Sequence, residues 1–263
     1  MGTQKSTRWI AWLWLVLGAI YFIVPLIATA EFSVRAKKGV YSLLAYQNVF
    51  AQSKFYESFG FSLQMAVLTI IVGMVLVLPT AYWVNLKLPQ LRPVIEFVTL
   101  LPFVVPAVVL AYGLIKIYSR PPLLLTPSPA LLVAGYVALA LPYLYRSIDA
   151  GLRAIDIKTL TEAAQSLGAS PATVLFRVIA PNLRVALLSG AFLTFATVIG
   201  EYTLASLLVW PAFAPYINLV NSSKVYEPSA LAVISFLLTW GSIGLIQALG
   251  GRRSDSSQLA GTR

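Results

Sequence analysis

Six stretches of this chain stay apolar over the length needed to cross a bilayer: Trp9 to Thr29, Phe59 to Trp83, Val94 to Tyr118, Ala130 to Tyr145, Val185 to Val209 and Ser229 to Leu249. A helix crosses the hydrocarbon in about 20 residues, and inside it every backbone N–H and C=O must be satisfied within the protein. The expected fold is therefore an all-α membrane protein with six transmembrane helices. Composition supports this, because 59% hydrophobic and 11% charged residues leave too little polar surface to cover a soluble fold of 263 residues. The first span follows Lys5 and Arg8 and ends in "ATAE", Ala28 to Glu31, which looks like a processing site. Its apolar run from Trp9 to Ile27 is 19 residues long. Signal-peptide cores are about 7–15 residues, so the span is expected to be retained.

The chain has no cysteine and no histidine. That removes disulfides, thiolate and imidazole chemistry and the usual zinc or haem ligands, so no metal, cofactor or catalytic residue is expected in this chain. The net charge of +10 comes from 19 Lys and Arg scattered between apolar blocks, with no basic stripe interleaved with aromatics, which argues against nucleic acid. The excess reports topology instead. With the N-terminus inside, twelve Lys and Arg lie on inner segments (Lys5, Arg8, Lys87, Arg92, Arg146, Arg153, Lys158, Arg177, Arg184, Arg252, Arg253 and Arg263) and seven on outer ones. Both termini are accordingly expected on the inner, cytoplasmic side of the membrane.

Outer loops are expected at Ala30 to Ser58, Ser119 to Pro129 and Trp210 to Pro228, with Pro, Asn and Ser marking irregular chain. Most of the inner length sits between Ser147 and Arg184, and a disordered tail is expected over about residues 250–263. No second domain is apparent, so residues 1–263 are taken as one transmembrane domain.

The inner segment has its own local code. Asp156 suits an N-cap for a helix starting at Ile157, and Gly168 suits the left-handed position that ends one. Ser170 followed by Pro171 reads as a second N-cap with proline at the first helical position, and Pro181 is expected to keep that helix from continuing cleanly. The result is two short helices joined by a glycine bend. The apolar face is expected to comprise Leu160, Ala163, Ala164 and Leu167 on the first, and Val174, Leu175 and Val178 on the second. Such an elbow either lies on the membrane surface as an amphipathic linker or is received by another protein.

This stretch, "EAAQSLGASPATVLFRVIAP" from Glu162 to Pro181, resembles the cytoplasmic loop of ABC importer permeases of the binding-protein-dependent type. The family pattern is E-A-A, three residues, G, nine residues, I-x-L-P. Glu162, Ala163, Ala164, Gly168 and Pro181 meet every spacing, while Val178 and Ala180 stand where the pattern has isoleucine and leucine. "LPTAYWV" from Leu78, "LLPFVVPAVVLAYGL" from Leu100, "LPYLYRSIDAGLRAID" from Leu141 and "GEYTLASLL" from Gly200 are similar to the spermidine/putrescine-type branch.

The resemblance implies a permease subunit, not an enzyme, and the chain indeed lacks a G-x-x-x-x-G-K-[ST] phosphate loop. It implies a coupling loop over about residues 149–184, between spans four and five, that docks on cytoplasmic ATPase subunits, two of them. Glu162, Ala163, Ala164, Gly168, Ser170, Pro171, Arg177 and Pro181 would carry that contact. It further implies a second, related permease subunit and an extracytoplasmic substrate-binding protein.

For the transported solute, Glu201 and Tyr202 are the informative pair. A straight fifth helix puts Glu201 about 24 Å from Val185, near the outer edge of the hydrocarbon. There it either attracts a cation, which favours a polyamine over an anion such as sulfate, or snorkels to the interface; a phosphonate, iron or an oxyanion is the alternative solute within the family. Pro79, Pro102 and Pro106 either kink their spans or line the path, Ser189, Gly190, Gly200, Gly241 and Gly244 suit close helix contacts, and Glu96 and Lys116 suit the interfaces. A carrier or channel working without an ATPase would place charges at mid-span, and an intramembrane hydrolase would need paired carboxylates at one depth; neither pattern is present. A reporter fused after Arg263 tests the orientation: green fluorescent protein fused there is expected to fluoresce and alkaline phosphatase to stay inactive, and the reverse would refute it.

Overall fold

The computed structural model describes residues 3–37 and 39–251. Among the described residues the secondary structure is helical apart from a hairpin of β1 (Arg35–Lys37) and β2 (Val40–Tyr41), paired antiparallel, with turns and loops between the helices. The helices are α1 (Thr3–Ser33), α2 (Leu44–Phe50), α3 (Ser53–Lys87), α4 (Arg92–Val104), α5 (Ala107–Tyr118), α6 (Pro129–Arg153), α7 (Ile157–Ser166), α8 (Pro171–Thr173), α9 (Ala180–Asn182), α10 (Arg184–Gly200), α11 (Thr203–Leu207), α12 (Phe213–Ser223) and α13 (Glu227–Gly251). A 3-10 turn (Pro89–Leu91) precedes α4, and π-helical turns (Val174–Ile179) join α8 to α9.

Among the described residues three helices are long and apolar enough to cross a membrane: Trp9–Ser33, Ser53–Lys87 and Pro129–Arg153. The number rises to five if each of two sharply bent pairs is one crossing. Several expected boundaries change. The third span is not one helix, because α4 and α5 meet at 99°. Val105 is extended there, with ψ of 113°, as the ring of Pro106 requires of the residue before it. The fourth span is longer than expected, since α6 continues eight residues beyond Tyr145 to Arg153.

The fifth span stops at Gly200; Glu201 is extended and α11 begins after it. Helix α10 is unbroken from Arg184 to Gly200, so the rise of about 24 Å from Val185 to Glu201 holds, but the helix ends there instead of running on to Val209. The outer loops are also more regular than their Pro, Asn and Ser suggested, holding α2 in one and α12 in another. Gly250 and Gly251 belong to α13, and the rest of the expected disordered tail lies outside the described residues.

The described residues fall into two compact units. In the smaller (Met1–Tyr56 and Ile217–Leu238), the outward tryptophans and tyrosines of α1 suit a lipid-facing helix. Buried Glu227 accepts a hydrogen bond from Asn48 Nδ2 at 3.1 Å, and Ser33 shares one with the Tyr46 hydroxyl at 2.8 Å.

In the larger unit (Glu57–Tyr216 and Thr239–Arg263), α3 and α6 run through two apolar clusters. One gathers Met65 and Ala66 of α3, Leu132 and Tyr136 of α6, Ala111 of α5, Val198 of α10 and Leu204 of α11. The other joins Val77, Leu78 and Tyr82 of α3 to Leu144, Ile148 and Leu152 of α6 and to Val174, Leu175 and Ile179 of the π segment.

Helices α6 and α10 approach closely because Gly151 has no side chain: a Cβ there would lie 2.5 Å from the Ala186 Cβ, which cannot rotate away. Ser147 Oγ adds a hydrogen bond to the Ala186 carbonyl at 2.6 Å. Gly151→Ala should lower stability by about 1–3 kcal/mol through overpacking. Gly113→Ala, where a Cβ meets open space, should leave it unchanged or raised. Thermal unfolding of both variants in detergent checks this, and equal midpoints would refute the close contact.

Candidate functional site

The elbow between α6 and α10 is built from local signals. Asp156 caps α7: Thr159 N donates to Oδ1 at 3.2 Å and Thr159 Oγ1 to Oδ2 at 2.7 Å. These bonds hold the Asp156 carboxyl below its ordinary range, the side-chain bond first and the backbone bond second. At the other end Gly168 has φ of +82°. Its N–H donates to the Gln165 carbonyl at 2.9 Å and Ala169 N to the Ala164 carbonyl at 3.0 Å, which closes α7 in a Schellman turn. A Cβ at Gly168 would meet nothing within 4 Å, so the backbone angle and not space calls for glycine. Ser170 then caps the next helix, accepting from Thr173 N at 3.3 Å, with Pro171 at its first position.

The helix does not run cleanly past Pro181, in line with the expectation. The chain widens into the π turns Val174–Ile179 and continues as α9 through Pro181 to Asn182. Proline lacks the N–H of a normal turn and crowds the carbonyl four residues back, and a wider turn relieves both problems. The sharp break follows at Leu183, where the chain turns by 82° into α10.

The apolar face of α7 also differs from the expected one. Thr161 is buried, while Ile157, Leu160 and Ala164 pack on the cluster shared by α3 and α6. The Thr161 and Tyr82 hydroxyls share a buried hydrogen bond of 3.0 Å that ties α7 to α3. Ala163 and Leu167 point away from this contact, and Leu167 is 90% exposed.

The outward face thus comprises Glu162, Ala163, Ser166 and Leu167, one helical turn apart in pairs. Glu162 makes only a 4.0 Å surface pair with Lys158, which contributes little. On the following helix Val174, Leu175 and Ile179 are buried, whereas Phe176, Arg177 and Pro181 are exposed. Of the two positions departing from the motif, Val178 and Ala180 are both half-buried and flank the fully buried Ile179, so the deep contact is kept.

Glu201 and Tyr202 sit at the break between α10 and α11, apart from the elbow. Four backbone contacts converge on the carboxylate: Thr203 N and Leu204 N on Oε1 at 2.7 and 3.0 Å, Leu204 N and Ala205 N on Oε2 at 3.0 and 3.3 Å. Its oxygens thus satisfy the free N–H groups at the start of a new helix, which accounts for a carboxylate at this break. Tyr202 beside it is 45% exposed.

One constellation escaped the sequence reading. Asp149 on α6, with its side chain only 8% exposed, accepts from Asn85 Nδ2 at 2.9 Å and Arg92 Nη2 at 3.1 Å, and pairs with Arg153. Glu96, read as merely interfacial, bridges Arg92 at 2.9 Å and Arg153 at 3.2 Å. The network ties α4 and the end of α3 to α6. Its local signs are two pairs spaced by four residues, Arg92 with Glu96 and Asp149 with Arg153.

Comparison with known proteins matches this architecture. The family described as binding-protein-dependent transport system inner membrane component matches residues 78–255. The probable ABC transporter permease protein y4fN of Sinorhizobium fredii is 28% identical over 231 residues, covering 83% of this chain and 40% of the relative. The spermidine/putrescine transport system permease protein PotB of Escherichia coli is 27% identical over 171 residues, covering 59% of this chain and 61% of the relative. The matched region is thus less than two thirds of either relative.

The probable sulfate transport system permease protein cysT of Nephroselmis olivacea is 24% identical over 276 residues, covering 98% of this chain and 95% of the relative. The crystal structure of a bacterial alginate ABC transporter in complex with an alginate pentasaccharide-bound periplasmic protein superposes with a TM-score of 0.70 at 13% identity, covering 96% of this chain and 97% of that one. Elbow motif, fold and matched residues converge: this chain belongs to the family of binding-protein-dependent transport system inner membrane components, membrane transport components and not enzymes.

Proposed function

We propose that this chain is the permease subunit of an ATP-driven importer and that the elbow couples it to a cytoplasmic ATPase pair. The observation that carries the reading is the division of α7 into two faces. Its inward face is locked to α3 through Thr161 and Tyr82, while Glu162, Ala163, Ser166 and Leu167 are presented outward with no packing of their own. A helix so held transmits displacement to the bundle, and its outward face suits a groove on a partner. Gly168, Ser170 and Pro171 set the angle of the elbow, and exposed Phe176, Arg177 and Pro181 extend the surface. A carrier working without an ATPase leaves that surface unused.

In this reading residues 1–263 form one permease domain with six crossings and both termini in the cytoplasm. The three uninterrupted spans and two bent pairs are completed by α13. The chain pairs with a second, related permease and receives solute from an extracytoplasmic binding protein. Closing of the ATPase pair draws the elbows together and rocks the bundles between outward and inward access.

The solute is a polyamine in this proposal, supported by the resemblance to PotB, named as a spermidine/putrescine permease. Glu201 contributes there by its charge alone, since backbone N–H groups occupy its oxygens, and exposed Tyr202 lines the path beside it. The relative named as a sulfate permease, aligned over 98% of this chain, favours an oxyanion as the second reading.

In membranes holding the assembled transporter, Glu162→Lys and Gly168→Pro should abolish ATP-driven uptake while the chain still inserts. Proline cannot adopt the φ of +82° at position 168. Uptake of labelled putrescine against labelled sulfate reads out both parts at once. Undiminished uptake in either variant would overturn the coupling role, and sulfate uptake without putrescine uptake would overturn the polyamine reading.

A further inference from the structure

Beside the ion network, between α4 and α6, lies a cavity of about 320 Å³ whose lining includes Glu96, Thr99, Tyr145, Arg146, Asp149 and Arg153. Its carboxylates are already engaged. Glu96 and Asp149 each pair with both Arg92 and Arg153, and Asn85 donates to Asp149 as well. What remains unused are donors. Among the described residues Arg146 makes no ion pair, although its neighbours on the wall do. Tyr145 is 2% exposed, and its hydroxyl is buried without a hydrogen-bond partner. Buried polar groups are nearly always bonded, and an orphan on the wall of a polar cavity marks a place where a ligand atom belongs.

The local charge has the same sense. Three guanidiniums (Arg92, Arg146 and Arg153) face two carboxylates, leaving one positive charge unbalanced. A cation would have to displace an arginine to reach either carboxylate, whereas an oxyanion finds a free guanidinium and a free phenol O–H. Arginine recognises phosphate and carboxylate through such planar, charge-assisted bonds. The sequence around the network carries the residue types of a membrane boundary. Asn85 of the network stands between Trp83 and Lys87, and the Lys87 Nζ lies 4.8 Å from the Trp83 ring centroid. Aromatic and basic residues mark the headgroup level, where basic pockets between helices bind anionic lipids.

We propose that this cavity binds one phosphate group, supplied by the headgroup of an anionic phospholipid or by the free ion. The group bridges Arg146 and the Tyr145 hydroxyl on α6, beside the network that holds α4. The proposal does not depend on which solute the chain carries or on the ATPase contact.

The test titrates the purified, delipidated full chain in detergent with phosphatidylglycerol, phosphatidylcholine and inorganic phosphate, with binding read by native mass spectrometry. Phosphatidylglycerol should bind in preference to phosphatidylcholine. Arg146→Gln should weaken it about tenfold, while Arg184→Gln, an exposed arginine outside the cavity, should not. Tyr145→Phe keeps the packed ring and should weaken it about threefold, so it decides the matter if the arginine variant misfolds. Competition by inorganic phosphate would support the site and make the free ion its source. Equal binding of the two lipids, unchanged affinity in both cavity variants, or no binding of any of the three would overturn the proposal.

Discussion

The structure depends on the dry contact where Tyr82 of α3 meets Thr161 of α7. Both side chains are 3% exposed, and around them lie Leu78, Leu144, Ile148, Val174 and Ile179. The hydrogen bond itself contributes about 0.5–1.5 kcal/mol, but removing one partner strands the other in an apolar setting at about 1–3 kcal/mol. More important is what the contact converts the elbow into. Without it, two short helices of about three turns would be marginal on their own. With it, they become an extension of α3 and α6, carrying an outward face that the rest of the chain leaves uncovered.

A second constraint comes from hydrocarbon, which tolerates no unpaired backbone. Each interruption of a span is accordingly provided for. Glu201 takes up the N–H groups of Thr203, Leu204 and Ala205, so that α11 can begin directly after the break. At the other break Val105 adopts the extended angle that Pro106 demands, and Val105 N still donates to the Leu101 carbonyl at 2.9 Å. Residues that look out of place in a span, a glutamate and a proline, are the ones that let the helix end there. The ion network around Asp149 holds the opposite, N-terminal end of α4 against α6 through Arg92 and Glu96.

The elbow was legible in the sequence because its determinants are local. Asp156, Gly168, Ser170 and Pro171 each act within four residues, and each does in the structure what its chemistry foretells. The spans were legible as apolar lengths, but hydropathy carries no direction, so the 99° turn inside the third and the end of the fifth at Gly200 were hidden. The inward face of α7 was misassigned for a related reason: Ala163 and Leu167 are as apolar as Leu160 and Ala164, and only the tertiary partner selects which pair is covered. The Asp149 network joins residues up to 64 positions apart, a proximity that no local pattern encodes.

The absence of native cysteine makes the central claim directly measurable, since Leu167→Cys introduces a single thiol on the outward face of α7. Its rate of maleimide labelling is compared in membranes containing this chain alone and in membranes containing the assembled transporter. Strong protection in the assembly, with rapid labelling of the chain alone, is the predicted result. Equal labelling in the two preparations would show that no partner receives this face, and would contradict the account.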